Sequence, residues 1–155
     1  MGKRTYRYFA GEPLYPFGYG LSYTTFSYSN GRVSKASVAA TEEVTVSVDV
    51  TNSGEVGGDE VVQLYLTHPG VPGAPLRALK GFQRIHLDKG EKKTVAFTLR
   101  ARELSIVDEG GKHRIVPGQV DVWVGGGQPV SRKGLAPAAG LKTQFAITAG
   151  AALPD

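Results

Sequence analysis

A strictly alternating run of valines constrains what this 155-residue chain can fold into. From Val44 to Val50 every second residue is valine, and the residues between the valines are polar. A β-strand points successive side chains to opposite faces, whereas a helix would scatter these valines around its circumference. Valine also suits a pleated sheet because its branched side chain is stiff. The run therefore predicts a strand whose valine face is buried and whose face with Glu43, Thr45, Ser47 and Asp49 meets water.

Similar strand patterns recur along the chain, separated by turns rich in glycine, proline, asparagine and aspartate. The other segments with strand character are 24–29, 59–66, 79–87, 94–99, 103–107, 113–116, 120–124 and 143–148. Their inward residues are predicted to be Val62, Leu64, Leu66, Val95, Phe97, Leu99, Val120, Val122, Val124, Phe145 and Ile147. No segment has a helical pattern, and parallel sheets need crossover helices, so we expect antiparallel pairing. Seven to eight short antiparallel strands favour an all-β, immunoglobulin-like sandwich.

The composition argues against several classes of protein. The chain has no cysteine, which excludes a disulfide framework, a thiolate metal site and a cysteine nucleophile. Its 18 basic and 14 acidic residues are interleaved, so we expect the net charge of +4 to be dispersed and nucleic acid not to be a partner. No apolar run is long enough for a transmembrane helix, and residues 1–8 lack the apolar core of a signal peptide. We therefore expect no membrane partner and no leader in this chain.

The first thirty residues have a different character from the rest. They hold nine of the 14 aromatic residues: Tyr6, Tyr8, Phe9, Tyr15, Phe17, Tyr19, Tyr23, Phe26 and Tyr28. Two prolines and three glycines within residues 11–20 predict an extended arm over residues 1–22, followed by the sandwich over 23–150 and a tail over 151–155. An aromatic arm is poorly suited to water, so we expect it to pack along the sandwich or to lie in an interface, where it would also allow weak self-association.

An ordered set of motifs resembles one known family. The segments Tyr6–Phe9 and Pro13–Phe26 resemble the junction that precedes the C-terminal fibronectin type III-like domain of glycoside hydrolase family 3 β-glucosidases and β-xylosidases. The segments that follow in the same order are Val48–Gly54, Gly58–Tyr65, Leu79–Arg84, Glu103–Asp108 and Pro117–Gly126. The resemblance covers residues 4 to 148, and an ordered set is far more specific than one motif.

The resemblance implies a non-catalytic accessory domain. In that family the catalytic carboxylates lie in the preceding domains, so the implied partners are those catalytic domains, and the implied parent is a periplasmic or secreted enzyme that hydrolyses terminal β-glucosides or β-xylosides. The best interface candidates are Tyr15, Phe17, Tyr19 and Leu21. An alternative function is binding of polysaccharide or biomass through exposed aromatic residues.

The residues themselves offer no catalytic, metal or cofactor site. Retaining glycosidases generally need two carboxylates about 5–5.5 Å apart. The acidic pairs Glu42-Glu43, Asp59-Glu60 and Asp108-Glu109 are chain neighbours, and neighbours on an extended chain point to opposite faces. The three histidines have no metal-ligand spacing, and no glycine-rich loop leads into a helix that would hold phosphate.

Two further aromatic residues are ambiguous. Alternation places Tyr65 and Trp123 opposite the aliphatic faces of their strands. Each is therefore expected either to stack on a sugar ring or to press against a partner domain or a covering loop such as 130–141. We favour interdomain or loop packing because interfaces commonly recruit tyrosine and tryptophan.

Overall fold

The computed structural model describes residues 5–130 and 132–154, so residues 1–4 of the predicted arm and Asp155 of the predicted tail lie outside the described residues. The chain forms strands β1 to β11 and one short helix, α1. The strands are β1 (Phe26–Val33), β2 (Ser37–Val38), β3 (Val44–Asn52), β4 (Gly58–Thr67), β5 (Ala78–Leu87), β6 (Lys92–Leu99), β7 (Ile106–Val107), β8 (His113–Ile115), β9 (Gly118–Gly125), β10 (Gly140–Ile147) and β11 (Ala151–Ala152). The helix α1 spans Ala101–Leu104.

Two sheets enclose the core, as the predicted sandwich requires. One has the strand order β1-β3-β6 and the other the order β2-β10-β9-β4-β5, while β11, β8 and β7 form a small third sheet. The long pairs are antiparallel, with Val44 opposite Leu99 in β3–β6 and Leu64 opposite Val124 in β4–β9. The all-β fold is therefore confirmed, with seven strands of eight residues or more and four much shorter ones.

The predicted inward residues form this core. The four valines of β3 are buried, as are the inward residues of β4, β6, β9 and β10, and one hydrophobic cluster joins them. The expected solvation of Asp49 is wrong, because that residue is buried. Its carboxylate accepts hydrogen bonds from Asn30 Nδ2 at 2.8 Å and Thr94 Oγ1 at 2.7 Å. These bonds lower the pKa of Asp49 by favouring the charged form.

The expectation that no helix forms is also wrong. The segment 103–107, predicted as a strand, begins inside the one-turn helix α1 and becomes strand only at Ile106. Glu103 accepts a hydrogen bond from the backbone N–H of Arg100 at 2.9 Å, which satisfies a donor at the start of the turn. The turn also buries Leu104 completely. A single helical turn is too short to produce a recognisable periodicity.

Other differences concern short pairings. In β1 the register with β3 shifts between Ser29 and Arg32, where Asn30 adopts a left-handed φ of 53° that asparagine tolerates. Two residues of β2 pair parallel with β10, contrary to the expected antiparallel pairing. The two strands are about a hundred residues apart in the sequence, so the other strands of the sandwich connect them and no crossover helix is needed. Ala151–Ala152, within the predicted tail, pairs with β8.

Candidate docking surface

The aromatic arm lies on the outer face of the five-stranded sheet. Backbone hydrogen bonds join it to the sheet and its loops: Leu76 N–H donates to Arg7 O at 2.7 Å, and Gln128 N–H donates to Phe17 O at 3.2 Å. The hydroxyl of Tyr6 accepts a hydrogen bond from Leu79 N–H at 3.2 Å. The arm is expected either to pack along the sandwich or to lie in an interface with a partner. The structure shows it packed against the sandwich of this chain.

Three rings anchor the arm. Tyr6 and Phe17 stack with ring centroids 4.1 Å apart and planes 11° apart. The ring of Tyr6 in turn meets the ring of Tyr65 edge-on, with centroids 6.3 Å apart. Offset-stacked and edge-to-face pairs are the favoured aromatic geometries, and each stabilises by about 0.5–1.5 kcal/mol beyond area burial. The arm therefore covers an aromatic residue of β4 that alternation had placed outside the core.

The opposite side of the arm is exposed and apolar. Tyr15 is 67% exposed, Leu21 is 89% exposed and Tyr23 is fully exposed, and Leu14 is exposed beside them in the sequence. Tyr19 is half-buried, with its ring centroid 5.6 Å from that of Tyr15. We call the exposed set Leu14, Tyr15, Leu21 and Tyr23 the outer arm face. These four exposed side chains lie within ten residues of one segment, and exposed apolar surface is a feature of protein interaction sites.

A basic loop holds the middle of the arm in place. The guanidinium of Arg132 donates to the backbone oxygen of Leu14 and lies 6.0 Å from the ring centroid of Tyr15. The backbone N–H of Lys133 donates to Glu12 Oε1 at 3.0 Å. The loop therefore holds the arm at Leu14 and Tyr15, whose side chains nevertheless stay exposed.

The predicted interface residues divide between the two sides of the arm. Tyr15 and Leu21 belong to the outer arm face, Tyr19 is half-buried beside Tyr15, and Phe17 serves in the anchor although part of its side chain is exposed. Sequence patterning predicted an arm but could not separate its two sides, because an irregular segment has no fixed side-chain period.

Tyr65 and Trp123 have different environments. Tyr65 is 1% exposed, and its hydroxyl donates to Gln63 Oε1 at 2.6 Å, so it has no face open to a ligand in this chain. Trp123 is half-buried, and its Nε1–H donates to Gly127 O at 2.8 Å. The two aromatic residues therefore do not form one exposed platform, although they are cross-strand partners in β4 and β9.

Trp123 lines a polar cleft on the same sheet. The cleft has a volume of about 640 Å³, within the usual range of ligand sites. Its polar lining residues are Thr67, Arg77, Gln119, Asp121, Lys142, Thr143 and Gln144. Gln119 Nε2 donates to Asp121 Oδ1 at 2.5 Å and to Gln144 Oε1 at 3.1 Å, so amide and carboxylate groups are connected beside the indole.

Sequence analysis missed a second feature, a groove between the arm and the loop 136–139. We call it the Glu60 groove, because Glu60 of β4 lines it together with Tyr28 of β1. Tyr28 donates its hydroxyl hydrogen to Glu60 Oε1 at 2.9 Å. Burial raises the pKa of Glu60, an effect that this hydrogen bond partly opposes. The acidic pair Asp59-Glu60 is thus split: Asp59 accepts hydrogen bonds from Arg84 and pairs with His86 instead.

The described residues contain neither a metal site nor a membrane-spanning helix. Within 5–130 and 132–154 no group of three histidine, aspartate or glutamate side chains is placed to hold a metal ion. No helix in the same part of the chain has the length and apolarity that a membrane crossing demands.

Comparison with known proteins identifies the domain. Residues 60–128 match the family described as "Fibronectin type III-like domain". This stretch of the chain belongs to the fibronectin type III-like domains. A β-xylosidase from Formosa agariphila is 48% identical over 125 residues, which cover 80% of this chain and 17% of the xylosidase. A periplasmic β-glucosidase from Salmonella typhimurium is 43% identical over 126 residues, which cover 79% of this chain and 16% of that enzyme.

Solved structures agree with these relatives. β-Glucosidase 3B from Thermotoga neapolitana, in complex with glucose, superposes with a TM-score of 0.80 and 33% identity over 97% of this chain and 19% of its own. The chain spans less than a fifth of the length of these relatives. The resemblance to the fibronectin type III-like domain of family 3 glycoside hydrolases is confirmed, and the domain corresponds to a small, non-catalytic part of such enzymes.

Proposed function

We propose that this fibronectin type III-like domain is an accessory domain of a multi-domain β-glycosidase and stabilises the catalytic domains by docking against them. The parent enzyme would hydrolyse terminal β-glucosides or β-xylosides, as the names of the relatives suggest. One of those relatives is periplasmic, which supports a periplasmic or secreted parent. The observation that carries the proposal is the outer arm face, an exposed apolar surface on a segment whose other side is anchored to the sandwich.

The energetics favour docking of this surface. Exposed leucine and tyrosine side chains gain roughly 25 cal/mol for each Å² of apolar area removed from water. The anchor restrains the backbone beneath these side chains, so less conformational entropy is lost when a partner covers them. Tyrosine is also a residue type that protein interfaces favour.

The test mixes this chain with the catalytic region of its parent enzyme, expressed without the segment that corresponds to it. We expect the melting temperature of the catalytic region to rise at saturating concentrations of this chain. The variant Leu21→Ser/Tyr23→Ser should abolish the rise, whereas Phe82→Ser, which removes a 68% exposed aromatic residue of β5, should preserve it. No rise with the unaltered chain, or equal loss in both variants, would contradict docking through the outer arm face.

A second candidate function, binding of polysaccharide, is supported by the Trp123 cleft alone. An indole beside amides, a carboxylate and hydroxyls matches the mixed apolar and polar surface of a sugar ring. The test is sedimentation with insoluble cellulose and xylan. Binding that weakens in Asp121→Ala and in Trp123→Ala but persists in Phe82→Ala would support this function, and binding unaffected by the cleft variants would exclude the cleft.

A further inference from the structure

We propose that the Glu60 groove receives a basic side chain, arginine or lysine, from the protein domain that docks on the outer arm face. The inference rests on the proposed docking function and adds to it the chemistry of one recognition point. The groove adjoins the arm directly, since Tyr19, Gly20, Leu21 and Ser22 form one of its walls.

The shape of the groove suits one extended side chain. Its volume of about 230 Å³ lies below the roughly 300–1,000 Å³ of typical small-molecule sites. Its walls are mostly apolar: Tyr19 and Leu21 of the arm, Phe26 of β1, and the segment 136–139 with three alanines and a proline. Long basic side chains bury their aliphatic stems along such surfaces and place the charge at the end.

The charge in the groove is negative and lacks a positive partner. No salt bridge within the described parts of the chain involves Glu60, and its one side-chain hydrogen bond comes from Tyr28. The neighbouring carboxylate on the same strand is compensated, since Asp59 pairs with Arg84 and His86. A partly buried carboxylate without a cation gains strongly when one arrives, because charge-assisted hydrogen bonds are about twice as strong as neutral ones.

The surrounding backbone keeps the carboxylate in place. A Cβ at Gly126 would collide with Glu60 Oε1, so the absence of a side chain at that position leaves room for the carboxylate. Tyr28 fixes the same oxygen from β1. Strands β1 and β4, together with Gly126 in the loop after β9, therefore hold Glu60 in one position, as a recognition point requires.

The experiment titrates the intact chain with butylguanidinium chloride and follows backbone amide NMR shifts. Butylurea, a neutral molecule of similar shape, is the matched control. We expect saturable shifts at Leu21 and Ala138 with butylguanidinium. The dissociation constant should be at least about tenfold higher for Glu60→Gln, the loss of affinity typical of a hydrogen bond to a charged group. Glu109→Gln, which removes an exposed carboxylate outside the groove and retains Glu60, should still bind.

The outcomes are separable from those of the docking test, because no catalytic region is present. Equal affinities for butylguanidinium and butylurea, or shifts outside the groove, would overturn the proposal without need of any variant. Binding of butylguanidinium combined with failure of the two-chain docking test would overturn only the proposed function. Docking that is unchanged by Glu60→Gln, in a chain that binds butylguanidinium through Glu60, would also overturn the proposal.

Discussion

The ring of Tyr6, in the arm, meets the ring of Tyr65, in β4, edge-on at a centroid distance of 6.3 Å. This contact joins an irregular segment to the middle of the five-stranded sheet. It explains why Tyr65 is buried although it points away from the aliphatic core.

The aromatic anchor should contribute measurably to stability. Phe17→Ala removes the stacking partner of Tyr6 and is expected to lower the free energy of unfolding by about 1–2 kcal/mol. Urea denaturation of the variant and of the unaltered chain measures this difference. Leu14→Ala, at an arm position whose side chain is 75% exposed, is the matched control and should change stability by no more than about 0.5 kcal/mol. Equal effects at the two positions would show that the stack does not anchor the arm.

The outer arm face should be neutral for stability. Leu21→Ser/Tyr23→Ser alters two fully or almost fully exposed side chains, so we expect a change in unfolding free energy within about 0.5 kcal/mol. The same variant should reduce any concentration-dependent self-association seen in sedimentation velocity, because it removes exposed apolar area. A large loss of stability would mean that these side chains pack within the chain.

Asn52 should be the most sensitive polar position. Its side chain accepts hydrogen bonds from Thr24 Oγ1 at 2.7 Å and Gly54 N–H at 3.1 Å, and it donates to Val56 O at 2.8 Å and Leu87 O at 2.9 Å. Asn52→Ala leaves these groups without partners in a buried environment, so we expect a loss of about 3 kcal/mol in urea denaturation.

The neighbouring substitution Ser53→Ala is the control for Asn52, because Ser53 is exposed. It should cost no more than about 0.5 kcal/mol. A cost below about 1 kcal/mol for Asn52→Ala would contradict the hydrogen-bonding role assigned to this side chain.

His68 should make stability depend on pH. Burial lowers the pKa of His68 from 6.5 to about 4, with the charge of Lys80 as a second cause, and His68 Nε2 is buried without a hydrogen-bond partner among the described residues. The unfolded chain therefore binds a proton before the folded chain does as pH falls. The contribution of His68 is fully present above pH 6.5 and declines towards pH 4, by on the order of 2 kcal/mol at pH 4.5.

The measurement compares unfolding free energies at pH 7.5 and pH 4.5. His68→Gln should lose less unfolding free energy between pH 7.5 and pH 4.5 than the unaltered chain. His86→Gln is the control, because the hydrogen bond to Asp59 raises the pKa of His86 and its contribution is lost as pH rises instead. An identical loss of unfolding free energy in His68→Gln and the unaltered chain would refute the role of His68 in this pH dependence.

Strand alternation predicted the core because the burial of every second residue is a local property. The valines of β3 and β9 illustrate this, since each run could be assigned to one face without knowledge of its neighbours. The features that alternation missed depend on contacts between distant segments. Tyr65 is buried by the arm, Asp49 by its partners Asn30 and Thr94, and Glu60 meets Tyr28 only when β1 and β4 come together.

The anchoring of the arm has a practical consequence for anyone who moves this domain to another enzyme. The first strand begins at Phe26, and a transplant designed from that boundary would leave residues 5–22 behind. The recipient would then display an uncovered tyrosine and glutamine, Tyr65 and Gln63, on the outer face of the five-stranded sheet. Such a graft invites aggregation, and a portable unit has to start at or before Thr5.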